Sequence, residues 1–123
     1  MIRNVLLVAL GGAVGSVARY LLSGLNDSSW PWATFAVNVL GCLIIGLLVG
    51  LAGRGIVSPG MKLLLVTGFC GGFTTFSTFA NESFGMMKAG DVLMTALYVG
   101  ASIVIGILAV WGGMALSGFV SIK

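Results

Sequence analysis

The sequence predicts an all-α membrane protein with four transmembrane helices per subunit, and three observations carry that prediction. Of 123 residues, 59% are hydrophobic and only 7% are charged, where about a quarter charged is usual for a soluble domain. Mean hydropathy is +1.16, so lipid must be the solvent for most of the surface. The apolar residues fall into four separable segments, each near or above the roughly 20 residues that cross a bilayer core.

The first segment runs from about Val5 to Leu22. Its opening, Met1-Ile2-Arg3-Asn4 before an apolar run, resembles a signal peptide. Gly11, Gly12 and Gly15 interrupt the run and further spans follow, so a retained helix is expected. The second segment spans about Ala33 to Ala52, after a polar turn, Asn26-Asp27-Ser28-Ser29-Trp30-Pro31-Trp32, with an interfacial aromatic pair. A loop through Gly53-Arg54-Gly55 and Ser58-Pro59-Gly60 leads to the third segment, about Met61 to Met87. Lys88-Ala89-Gly90-Asp91 separates it from the fourth, about Val92 to Phe119. The four helices form one transmembrane domain over residues 1–123.

The third segment holds the most informative stretch of the chain, Gly71-Gly72-Phe73-Thr74-Thr75-Phe76-Ser77-Thr78-Phe79. An unpartnered hydroxyl in an apolar medium costs about 2–7 kcal/mol. Such a run persists in a membrane only where it is buried in protein or lines a wet cavity. Gly71-Gly72 weakens the helix, and Thr and Ser side chains offer the backbone other partners. A mid-membrane break is therefore expected here, the device by which ion-handling proteins expose backbone groups; a kinked but continuous helix is the alternative.

The charges exclude several functions. The net charge is +3, but Arg3, Arg19, Arg54, Lys62, Lys88 and Lys123 are scattered, which suits headgroup contact and not a nucleic-acid stripe. One side would hold Arg3, Arg54, Lys62 and Lys123, the other Lys88 and Arg19. This shallow bias is compatible with insertion in both orientations and antiparallel pairing. Cys42 and Cys70 are isolated in apolar context and there is no histidine, so no zinc spacing exists. Gly11-Gly12-Ala13-Val14-Gly15 has neither a preceding strand nor a following lysine, so helix packing explains it better than phosphate binding. With no histidine and no paired carboxylate, catalysis is not expected. Small residues at four-residue spacing (Asn38, Cys42, Gly46 and Gly50, then Gly68 and Gly72) allow close helix approach and point to self-association.

An anion path is the chemistry these residues suit. Phe76 and Phe79 share a helix face, and the rim of a phenyl ring is electropositive. Two rings presented edge-on can cradle a small bare anion, with the hydroxyls of Ser77 and Thr78 nearby. Asn38 lies within the second span, where its amide can donate. Tyr98 and Ser102, four residues apart, add a polar face on the fourth. Scarce permanent charge favours a conduit that releases its ion.

Three blocks carry a family resemblance: Gly11-Gly12-Ala13-Val14-Gly15-Ser16-Val17-Ala18-Arg19-Tyr20, Thr34-Phe35-Ala36-Val37-Asn38-Val39-Leu40-Gly41, and Thr67-Gly68-Phe69-Cys70 leading into the glycine–hydroxyl run. Together they resemble the Fluc (CrcB) fluoride channels over essentially the whole chain. The resemblance implies a fluoride-selective channel in the bacterial cytoplasmic (inner) membrane that lets fluoride leave the cell. It implies an antiparallel, dual-topology homodimer with two pathways. Phe76, Phe79 and Asn38 would line the pore, and Tyr98, Ser102, Thr34 and Glu82 the pathway or its vestibules. The carbonyls of Gly71 and Thr74 would hold a structural sodium ion on the dimer axis, and Arg19 would sit near an aqueous vestibule. Gly106 departs from relatives that carry a serine there.

Two other readings compete. A small multidrug exporter needs a carboxylate in its first helix, where this chain carries only Arg19. A non-transporting assembly subunit would use the polar stripe to bind a partner.

Overall fold

A computed structural model of the chain describes residues 1–26 and 30–120. Asp27, Ser28 and Ser29 of the expected polar turn, and Lys123 among the expected basic flank, lie outside the described residues. Every regular element among the described residues is a helix, with no strand: α1 (Ile2–Ser23), α2 (Trp32–Gly53), α3 (Pro59–Lys62), a π-helical stretch (Leu63–Cys70), α4 (Gly71–Phe73), α5 (Phe76–Lys88) and α6 (Val92–Ser117). Among the described residues, four helical spans are long and apolar enough to cross a membrane, the third being Pro59–Lys88 as a whole. The chain is a multi-pass helical membrane protein.

The spans pack as two pairs. α2 lies mainly along α6, and α1 along the π-helical stretch and α4; α5 leans on α6. Glycines set both contacts, and they do so within the chain. A methyl on Gly11 would overlap the Leu64 carbonyl oxygen, and one on Gly15 the Phe69 carbonyl oxygen. On the facing side, a methyl on Gly72 would come within 2.5 Å of the Gly12 oxygen. Across the other pair, methyls on Gly46 and Gly113 would overlap the carbonyl oxygens of Val110 and Leu43, and one on Gly50 the Ser117 hydroxyl. Without a hydrophobic drive between helices in lipid, such close backbone approach is what holds spans together. The Gly11–Gly15 block is thus a helix-packing face. The stripes expected to drive self-association at Gly46, Gly50, Gly68 and Gly72 are instead consumed inside one chain, because each faces a neighbouring backbone or hydroxyl of the same chain.

Helix ends follow local chemistry. Ser58 caps the third span by accepting from the Met61 N–H at 3.2 Å, ahead of Pro59 at the first helical position. Gly55 and Gly90 take positive φ, 78° and 86°, where the chain turns between spans. At the far end of α6 the Arg54 guanidinium donates to the Ser117 carbonyl, satisfying a terminal acceptor.

The glycine contacts predict a clear contrast. Gly46→Ala should destabilise the folded protein by about 1–3 kcal/mol, the usual range for overpacking. Gly53→Ala, where an added Cβ meets nothing within 4 Å, should change stability little. Thermal unfolding in detergent checks both.

Candidate functional site

Two consecutive residues of the third span leave the helix. Thr74 (φ −85°, ψ 158°) and Thr75 (φ −149°, ψ 123°) are extended, a conformation that suits β-branched side chains. Gly71 and Gly72, the expected weak point, stay helical. Gly72 is needed for close approach to α1, and the hydroxyls that compete with the helix begin at Thr74.

Lipid cannot answer the polar groups opened by this excursion. Thr74 turns its hydroxyl back to the Cys70 carbonyl at 2.8 Å. Thr75 Oγ1 accepts from the Thr78 N–H at 3.3 Å and so caps α5. The Thr75 backbone is satisfied from another span. Its N–H donates to Asn38 Oδ1 at 2.8 Å, and its carbonyl accepts from Asn38 Nδ2 at 3.0 Å. This pairing also fixes which end of the carboxamide is which, since only the oxygen can face an N–H and only the nitrogen a C=O. One amide N–H of Asn38 is therefore committed to the backbone. The second is left over, and Asn38 lines the adjoining pocket.

That pocket has a volume of about 360 Å³ and brings together Asn38, Thr75, Phe76, Phe79 and Ser102, with Cys42 and Cys70 in its wall. Among the described residues, no charged side chain lines it. Ser102 lines the pocket, and its Oγ is buried with no hydrogen-bond partner, so a donor stands unspent in the pocket wall. The rings of Phe76 and Phe79 lie 6.0 Å apart at 49°, and Phe76 is 79% exposed on the open side.

An aromatic row leads from the pocket towards the α2 N-terminus. Phe79 sits 5.0 Å from Tyr98, and Tyr98 lies 5.1 Å from Trp30 in an edge-on arrangement at 78°. Tyr98 is fully buried; its hydroxyl donates to Glu82 at 3.1 Å, with Thr34 beside its oxygen. Thr34, Tyr98 and Glu82 thus form a second polar cluster next to the pocket. Ser77 and Thr78 do not line the pocket and are exposed on α5. Arg19 is held by a 3.0 Å bond from Nε to the Gly72 carbonyl, beside the excursion but on its α1 side. Gly106 is buried with the Cys42 sulfur 3.5 Å from where its Cβ would stand, ordinary van der Waals contact that leaves room for a serine. Sequence reasoning missed Thr75, Cys42 and Cys70 as pocket residues, and Trp30 as the end of the aromatic row; their separation along the chain hides these meetings.

A scan against protein families matches residues 6–114 to the family described as CrcB-like protein, Camphor Resistance (CrcB). The chain belongs to the CrcB family. Among curated CrcB relatives, the fluoride-specific ion channel FluC of Methylobacillus flagellatus is 50% identical over 119 residues, covering 92% of this chain and 93% of the relative. The fluoride-specific ion channel FluC 2 of Rhodococcus jostii is 51% identical over 116 residues, covering 93% and 98%. The FluC of Flavobacterium psychrophilum is 40% identical over 120 residues, covering 94% and 97%.

The Asn38–Thr75 pairing predicts a local effect of its loss. Asn38→Ala leaves the Thr75 N–H and carbonyl unanswered, at a cost of about 1–3 kcal/mol for each buried group. The variant should melt at lower temperature, and the Thr75 amide should exchange its hydrogen faster than in the parent, as mass-resolved hydrogen exchange would detect.

Proposed function

We propose that the chain is a fluoride-specific ion channel, a conduit and not an enzyme, that lets fluoride leave the cell down its gradient and so relieves fluoride toxicity. The full-length similarity to channels of that name supports the substrate. The convergence of Asn38, Ser102, Phe76 and Phe79 on one uncharged pocket is the observation that carries the mechanism.

Fluoride is small and tightly hydrated, so a selective path must replace its water with close donors. The spare Asn38 N–H and the unpartnered Ser102 hydroxyl are such donors, and the rims of Phe76 and Phe79 supply weaker positive edges. The neighbouring cluster of Tyr98, Thr34 and Glu82 continues the polar track. With no cation in the pocket wall, attraction is sufficient for entry and weak enough for exit. In this reading the larger chloride is held less closely by these donors and rims.

The third span is broken mid-membrane at Thr74–Thr75 in this reading, and the subunit pairs with a second, antiparallel copy to give two pathways. α2 and α6 close on each other at Gly46, Val110 and Gly113, so the path cannot continue between them and leaves by the open side. That side exposes Phe76, Ser77, Thr78 and Asn81, a polar face ill-suited to lipid. A second copy would cover it and would bring Ser77 and Thr78 to the pathway. Arg3, Arg54 and Lys62 at one end oppose Lys88 and Asp91 at the other, a modest bias consistent with both orientations. A helical bundle of this kind belongs to the bacterial inner membrane, since outer-membrane proteins span as barrels.

A structural sodium ion at the dimer interface fits the excursion. Because the Thr75 N–H donates to Asn38, the Gly71 carbonyl loses its ordinary helical donor. The Thr78 N–H likewise goes to the Thr75 hydroxyl and leaves the Thr74 carbonyl. Gly71 is exposed, with nothing within 4 Å of an added Cβ. These two oxygens would hold the hard cation, which would supply fixed positive charge between the two copies. Arg19, anchored at Gly72, adds positive potential towards a vestibule.

Three experiments test this reading. Liposomes holding only this protein should release fluoride to an electrode and retain chloride under the same gradient; comparable efflux of both would refute selectivity. Phe76→Ile and Phe79→Ile keep apolar bulk but remove the ring quadrupole, so intact dimers of either should lose most fluoride flux. Reporter tags on the C-terminus should appear on both faces of the membrane in comparable amounts, and a single orientation would exclude the antiparallel dimer.

A further inference from the structure

The pocket wall has a chemistry that an anion path does not use. Cys42 on α2 and Cys70 at the end of the π-helical stretch both carry free thiols, and both line the pocket that holds Asn38, Phe79 and Ser102. They are 28 positions apart in sequence but share a neighbour in space. The Thr74 methyl presses on Gly41, next to Cys42, while the Thr74 hydroxyl bonds the Cys70 carbonyl. The Cys42 sulfur lies 3.5 Å from where a Cβ on Gly106 would stand. No group of three or more His, Cys, Asp or Glu that could hold a metal occurs among the described residues.

We propose that Cys42 and Cys70 form a two-coordinate site for a soft, thiophilic cation, with Hg²⁺ as the matching ion, and that its occupation closes the pocket. Soft thiolates select soft metals over hard ones. Sites for zinc want four ligands, which this wall does not offer. Charge decides among the remaining ions. Hg²⁺ displaces one proton from each thiol, forms two Hg–S bonds and releases two H⁺, leaving a neutral bis-thiolate. No net charge is then buried in a wall that has no counter-ion, whereas a monovalent ion between two thiolates would leave one negative charge there. The bound metal would stand in the cavity beside Asn38 and Ser102, on the route that the proposed channel reading requires. The closing effect rests on that reading; the binding does not.

The test uses the full chain in detergent and in liposomes. With HgCl₂, native mass spectrometry should find one mercury per chain, with the mass of two protons lost, and a sulfur-to-mercury absorption band should appear in the ultraviolet. Cys42→Ser, Cys70→Ser and Cys70→Ala should each surrender mercury to a competing monothiol. The parent should need on the order of 100-fold more competitor, because its second thiol is held in place. Equal release from parent and single-thiol variants would overturn the shared site. In liposomes, HgCl₂ should stop fluoride efflux through the parent, a dithiol should restore it, and variants lacking either thiol should keep conducting after a monothiol wash. Undiminished efflux through mercury-loaded parent would overturn the closure while leaving the binding result standing. A chain that passes no fluoride at all would fail the channel reading and be judged on the binding arm alone.

Discussion

The double hydrogen bond between Asn38 and Thr75 is the constraint on which the rest of the structure depends. Two extended residues inside an apolar span expose backbone groups that lipid cannot answer. Asn38 supplies a donor and an acceptor in the arrangement that a neighbouring strand would offer. One side chain on α2 thereby makes possible a helix interruption on another span. The interruption frees the carbonyls around Gly71 and Thr74, restarts α5 at Phe76, and aims the two phenylalanines at the pocket. The amide has one N–H beyond what the backbone consumes, so the group that secures the break also faces the cavity.

Around this point the glycines divide the protein into tight and open regions. Gly11, Gly15, Gly68 and Gly72 bring α1 against the first half of the third span, backbone to backbone. Gly46, Gly50 and Gly113 do the same for the halves of α2 and α6 remote from the polar cluster. The polar residues Thr34, Asn38, Tyr98 and Ser102 all lie in the other half, where side chains and not bare backbones separate the helices. Close packing thus confines polarity to one region and turns it towards the open face beside α5.

Much of this was readable from the residues alone, for identifiable reasons. Four spans follow from hydropathy and length, because lipid leaves few alternatives. The glycine–hydroxyl run stood out because hydroxyls are costly in hydrocarbon. Asn38 was conspicuous for the same reason, although its bond to the Thr75 backbone was not, since backbone partners carry no sequence signal. The interruption falls at Thr74–Thr75 and not at Gly71–Gly72, because glycine in a membrane helix serves close approach as readily as bending. The small-residue stripes suit a second copy as well as a neighbouring helix, because a four-residue spacing does not say which helix it faces. Meetings between distant positions, such as Cys42 with Cys70 or Trp30 with Tyr98, lie beyond any periodicity.

The central claim is that the Asn38 carboxamide divides its two N–H groups, one holding Thr75 and one facing fluoride. The most direct measurement is the nuclear magnetic resonance signal of the Asn38 side-chain amide during a fluoride titration. One proton, held by the Thr75 carbonyl, should stay nearly fixed, while the other shifts downfield and saturates, and chloride should move neither. If neither proton responds to fluoride in protein that conducts it, or if both move together, Asn38 does not divide its amide in this way and the account is wrong.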